Sequence, residues 1–199
     1  MKQTLLATAA AAAFMVVSGS AFAQNTAIIV DHGYGNKAYI DQKGHENAAV
    51  GYQYGTKGRI TTKQTGTYNY VEGTQKGYRN SMSASQYGKV NQADGYQGGS
   101  KEHMSIKQVG KYNSAYGAQY GGRNTMTTGQ VGYENKAVGY QDGYKNRMGI
   151  GQYGYDNAAG VTTKGYGGRV SVGQTGSKNY LEGIMGGKRN AIHGWQRKK

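Results

Sequence analysis

Gln42-Lys43-Gly44-His45-Glu46-Asn47-Ala48-Ala49-Val50-Gly51-Tyr52-Gln53 is one unit of a pattern that fills almost the whole chain. Gly returns at every eleventh position from Gly33 to Gly187, fifteen times, with no insertion or deletion. Gln stands two residues before that Gly and Asn three residues after it, so the unit reads Gln-x-Gly-x-x-Asn plus five residues. A strict short period means one structural unit repeated, each copy burying its inner face against its neighbours.

The columns can be followed residue by residue. The arc glycines are Gly44, Gly55, Gly66, Gly77, Gly88, Gly99, Gly110, Gly121, Gly132, Gly143, Gly154, Gly165 and Gly176. The Gln column is Gln42, Gln53, Gln64, Gln75, Gln86, Gln97, Gln108, Gln119, Gln130, Gln141, Gln152, Gln174 and Gln196, interrupted by Asp31, Thr163 and Met185. The Asn column is Asn36, Asn47, Asn69, Asn80, Asn91, Asn113, Asn124, Asn135, Asn146, Asn157, Asn179 and Asn190, with Asn25 ahead of it and Gly58, Glu102 and Gly168 as breaks.

Between Asn and the next Gln the side chains alternate. Ala38, Ile40 and Gln42 fall on one face, Lys37, Tyr39 and Asp41 on the other, which is the period of a β-strand with a single inner face. Strands of five or six residues alternate with arcs of four or five, too short for a strand–helix unit. The arcs carry the Gly, which supplies the positive φ of a tight reversal.

A period of 22 overlies that of 11. At the first inner position one set of strands carries Ala49, Val71, Ala93, Ala115, Ala137, Ala159 and Leu181, and the other Ala38, Ile60, Met82, Met104, Met126, Met148, Val170 and Ile192. Small residues on one strand and larger ones on the next imply two unlike strands facing each other across a thin core. The predicted fold is all-β: a two-sided β-solenoid of about eight 22-residue windings, each strand, arc, strand, arc, with residue i over residue i+22. At ~4.8 Å per winding the rod is roughly 38 Å long. Gln and Asn then stack into ladders in which each amide donates to one neighbour and accepts from the other.

Composition agrees. There is no Cys and no Pro. Stability therefore comes from no disulfide framework, and the ladder meets no residue lacking an N–H. Both Phe, Phe14 and Phe22, fall within residues 1–23. That segment has the form of a secretory signal, with Lys2, an apolar run from Leu5 to Val17 and the Ala21-Phe22-Ala23 cleavage pattern. Residues 24–199 are the repeat region. The net charge of +14 becomes +13 without Lys2. Such a charge either keeps an exported monomer dispersed or attracts polyanions, extracellular DNA or acidic polysaccharide.

The Gln-x-Gly-x-x-Asn-x-Ala-x-x-x-Gln pattern, as in Gln42 to Gln53, Gln86 to Gln97, Gln108 to Gln119 and Gln130 to Gln141, resembles the curlin repeat of bacterial curli fibres. The resemblance implies an extracellular functional amyloid, displayed as a cell-surface fibre for adhesion and biofilm matrix. Its implied partners are other curlin subunits and an outer-membrane export channel. The chain passes from Ala23 directly into repeats, without the Gly-rich leader of the major curlin subunit. Its basic tail, Gly187-Lys188-Arg189 and Trp195-Gln196-Arg197-Lys198-Lys199, is similar to the last repeat of the minor, nucleating subunit.

No capping element is visible beside the terminal repeats, so windings at Asn25–Gln42 and Asn179–Gln196 are expected to join head to tail. Catalysis is not expected and no cofactor is called for: the four His (His32, His45, His103, His193) lack metal-ligand spacing, and no nucleophile or phosphate-loop motif occurs. The rival is a monomeric ice-binding or polyanion-binding solenoid. For ice, one outer column (Thr61, Ser83, Ser105, Thr127, Gly149, Ser171) is suitable, but its neighbour (Lys63, Ser85, Lys107, Gly129, Gly151, Gly173) is irregular.

Overall fold

The computed structural model describes residues 2–5, 13–18 and 24–198. The cleavage pattern Ala21-Phe22-Ala23 lies outside them. Among the described residues there is no helix; strands form two nine-stranded sheets. β1 (Lys2–Leu5) and β2 (Ala13–Ser18) precede the repeats. β3 (Thr26–Tyr34) and β4 (Lys37–His45) make the first winding, and β17 (Tyr180–Met185) and β18 (Ala191–Arg197) the last. Even-numbered strands from β4 to β18 stack in one sheet and odd-numbered strands from β3 to β17 in the other, all parallel. Register is i to i+22 throughout, for example Met104↔Met126 and Gln119↔Gln141. The molecule is a two-sided β-solenoid of about eight windings, as the period of 22 requires.

The core is the thin layer between unlike sheets. Ile60, Met82, Met104, Met126, Met148 and Val170 are buried on one side, against Val71, Ala93, Ala115, Ala137 and Ala159 on the other. The opposing glycines make room for thioethers: a Cβ on Gly95 would lie 2.8 Å from Met82 Sδ, and one on Gly139 would lie 2.9 Å from both Met126 and Met148 Sδ. Met is unbranched and polarizable, and so fills a slot of this shape.

Three expectations are corrected. Strands are nine residues long, from β4 through β16, and only two residues separate each from the next. Parallel pairing runs on through the bend, because the bends of successive windings stack as closely as the strands; Lys57 N–H donates to Tyr34 O (2.9 Å) and Arg79 N–H to Thr56 O (2.9 Å). Second, the Gly is only half of the reversal. The arc glycines Gly44 to Gly176 take φ of +102° to +137°, and the residue two places on takes the left-handed conformation although it is rarely Gly: Lys57 +57°, Arg79 +55°, Val90 +55°. Third, the edge of the first winding is covered. β1 lies antiparallel on β4 and β2 antiparallel on β3.

Candidate functional site: the amide ladders and the terminal edges

The Gln column forms two ladders. On the even strands it runs unbroken through Gln42, Gln64, Gln86, Gln108, Gln130, Gln152, Gln174 and Gln196, each Nε2 donating to the next Oε1 at 2.8–3.0 Å. On the odd strands it runs through Gln53, Gln75, Gln97, Gln119 and Gln141 at 2.8–3.2 Å. There it stops, because Thr163 stands next; Gln141 Nε2 and Thr163 Oγ1 are buried with no partner. The Gln amides also bind main chain: Gln64 Nε2 donates to Ala48 O and Asn69 O, both at 2.9 Å.

The Asn column also divides in two. At one bend Asn25, Asn47, Asn69, Asn91, Asn113, Asn135, Asn157 and Asn179 form an unbroken ladder, each Nδ2 donating to the preceding Oδ1 at 2.8–3.1 Å. The same Nδ2 reaches an arc Gly carbonyl, as from Asn91 to Gly110 O at 3.0 Å. At the other bend Asn36, Asn80, Asn124, Asn146 and Asn190 are interrupted by Gly58, Glu102 and Gly168. Asn36 and Asn80 there accept from the main-chain N–H of Gly58 (2.7 Å) and Glu102 (3.0 Å), and Asn146 N–H donates to Asn124 Oδ1 (2.9 Å). Asn190 Nδ2 donates to Gly186 O.

The ladders therefore have direction. Gln donors point toward the C-terminal end of the rod, and Asn donors toward the N-terminal end. The two sets of side-chain dipoles therefore oppose each other.

The arc Gly column has a steric cause beyond conformational freedom. A Cβ on Gly88 would lie 1.9 Å from Gly110 O of the next winding. Any other residue would force the windings apart at the bend.

Two acids stand at ladder positions: Asp31 in the Gln column, where it accepts from Asn36 Nδ2 (2.6 Å), and Glu102 in the Asn column. Glu102 is 1% exposed, and its carboxylate accepts from Asn124 N–H (3.1 Å) and Asn124 Nδ2 (3.2 Å). Burial pushes its pKa up to about 7, with the Asn124 donors pulling the other way.

Aromatic side chains stack along the outside. Tyr133 lies over Tyr155 with ring centres 5.4 Å apart, and Tyr144 over Tyr166 at 5.8 Å. Tyr112 lies edge-on to Tyr133 at 5.3 Å, so three successive windings are linked at that bend.

The two terminal edges differ. On the first winding β1 and β2 occupy the positions of added strands. On the last, no described strand pairs with the outer side of β17 or β18. Tyr180, Ile184 and Trp195 there are 67%, 73% and 75% exposed.

The class is thus a two-sheet, amide-laddered β-solenoid in which no described strand pairs beyond β17 and β18. No protein-family model matches the chain, and no curated protein matches it. Sequence reasoning missed the left-handed residue two places after each Gly. Reading that position at a period of 22 separates two very different columns, but its residue types give no hint of its backbone.

Proposed function

We propose that the protein is the structural subunit of an extracellular, curli-like amyloid fibre that grows by adding one solenoid end to the other. The open edge of β17 and β18 carries the proposal, because unpaired parallel strands are a template for another chain. The ends match in register. Gln196 accepts from Gln174 and leaves its own amide N–H groups toward the open edge; Gln42 donates to Gln64 and leaves its oxygen toward the first-winding edge. One extends the ladder into the other. The apolar shapes also match: a Cβ on Gly183 would meet nothing within 4 Å, and the next copy supplies Ile29 and Ile40 at the first-winding edge. The interface is heterologous and does not close, so it gives a filament.

On this reading residues 1–23 are a secretory signal, and β1 and β2 act as a removable cap on the first-winding edge until cleavage frees it. Fibre location at the cell surface, association with other curlin-type subunits and passage through an outer-membrane channel follow from the repeat resemblance. Purified chain 24–199 is expected to form fibres that bind amyloid dye and give cross-β diffraction, while the intact chain 1–199 lags or stays monomeric. If 24–199 remains monomeric for days at high concentration, the proposal is wrong.

A further inference from the structure

The bend that leads from each odd strand to the following even strand is a file of cations. Its left-handed position holds Lys57, Arg79, Lys101, Arg123, Lys145 and Arg189, broken only by Gly167 within that run. Two residues on, at the start of the even strands, stand Lys37, Arg59, Arg147 and Arg169. All ten are exposed. The left-handed position of the opposite bend reads Glu46, Tyr68, Val90, Tyr112, Glu134, Asp156 and Lys178. Ten of the 23 Lys and Arg of residues 24–199 thus line one edge, and the other thirteen are distributed over the rest of the chain.

Like charges one winding apart, ~4.8 Å, repel, and no ion pair among the described residues offsets them. Among the described residues no Lys or Arg is ion-paired with a carboxylate; the only such contact is His45–Glu46. The relief is aromatic: Arg79 lies over Tyr78 (4.9 Å), Arg123 over Tyr144 (5.6 Å), and Lys145 over Tyr144 (5.4 Å) and Tyr166 (5.8 Å). Such contacts leave the outer side of each cation free. Where Gly167 replaces a cation, the file opens into a groove of about 700 Å³ lined by Arg123, Lys145, Arg147, Arg169, Arg189 and Tyr166.

We propose that this edge is a binding track for a linear acidic polysaccharide, with one carboxylate held per winding and the Gly167 groove as its deepest subsite. The file advances once per winding, ~4.8 Å, and that step is close to the length of one sugar in an extended chain. Arg presents a flat fork of donors that matches a carboxylate. Tyr166 and its neighbours offer rings on which sugar faces pack. Duplex DNA fits less well, because its phosphates wind around the duplex and meet a file along one edge only at intervals. Each carboxylate bound displaces counterions, so affinity is salt-dependent.

The test uses freshly dissolved, dye-negative protein, so its outcome is independent of fibre growth. Binding of polygalacturonate, neutral dextran and duplex DNA is measured by titration calorimetry from low to moderate salt. One variant carries Arg79→Gln, Arg123→Gln, Lys145→Gln and Arg189→Gln. A second loses the same charge elsewhere, through Lys63→Gln, Lys107→Gln, Lys111→Gln and Lys136→Gln, and circular dichroism confirms that both fold. The edge variant is expected to bind polygalacturonate at least tenfold more weakly and to lose about 0.7 of the log–log salt slope per contact removed. The second variant is expected to stay within twofold of the parent, and dextran not to bind. Equal losses in the two variants would overturn the edge as a site, leaving net charge alone. Tighter binding of duplex DNA than of polygalacturonate, lost in the edge variant, would overturn the polysaccharide assignment.

Discussion

Single residues in this rod are judged by what their ladder demands. Glu102 occupies an Asn position between Asn80 and Asn124, and a carboxylate there can accept but cannot continue the donor chain that Asn91 continues from Asn69. Its pKa is raised from 4.5 to about 7, so the folded chain holds the proton more tightly than the unfolded one. Between those values folding takes up a proton, and stability falls as pH rises. The contribution is complete below pH 4.5 and gone above about pH 7, a difference of ~3 kcal/mol for the pKa values cited. Glu102→Asn is therefore expected to raise the urea midpoint at pH 8 while changing it little at pH 4.5. Glu102→Gln should flatten the same pH dependence. Unchanged slopes in urea titrations at pH 4.5, 6 and 8 would show that Glu102 does not titrate in this window. Val90 illustrates a different demand. A β-branched residue at φ +55° is strained, and it is held there because the bends above and below are already hydrogen-bonded.

At the scale of the strand and its bend, ladder breaks come in matched sets. Met185 replaces Gln one winding beyond Thr163, and Gly168 replaces Asn beside them. A Cβ on Gly168 would lie 2.4 Å from Met185 Cε and 3.1 Å from Thr163 Cγ2. The missing amide makes room for the thioether. Gly168→Asn alone should destabilise by ~2 kcal/mol through overpacking. Met185→Gln alone should cost about as much, through a void and an unpaired amide. Together they restore an amide at position 168 between Asn146 and Asn190, with a second amide beside it in place of the thioether, and the double-mutant cycle should show ~1–3 kcal/mol of favourable coupling; additive losses would mean the breaks are independent. These elements also show what could be read in advance. Sheet pairing, the i+22 register, the Met-against-Gly core and both amide columns follow from Gly88, Gln86, Asn91 and their repeats, because a ladder must reuse the same residue in every winding. The nine-residue strands could not be read, since Gly88 and Lys89 at the end of β8 carry no strand alternation; they pair only because the neighbouring bends do. Nor could the left-handed column, whose Lys, Arg and Tyr adopt that backbone only under the constraint of the stack. The cover provided by β1 and β2 was hidden for another reason: the apolar run from Leu5 to Val17 reads as a leader and gives no strand alternation.

For the whole molecule the governing property is that its two ends are different surfaces. Ile29 and Ile40 lie at one, and Gly183, Gly194 and Trp195 at the other. A symmetric dimer would join like ends and stop; a fibre must join unlike ends. The distinction can be tested with two variants of chain 24–199. Ile40→Lys places a charge on the first-winding edge, and Gly194→Lys places one on the last. Each variant keeps one intact end, so neither should polymerise alone. Mixed in equal amounts, the intact last-winding edge of the first variant meets the intact first-winding edge of the second, and the pair should stop at a heterodimer by sedimentation velocity. Either variant should also stop growth of parent fibres when added below stoichiometry, each at the opposite fibre end. If instead one variant alone forms a stable dimer, the contact joins like ends, and the head-to-tail register of Gln196 with Gln42 is wrong. If both variants polymerise at the parent rate, growth does not pass through these strand edges.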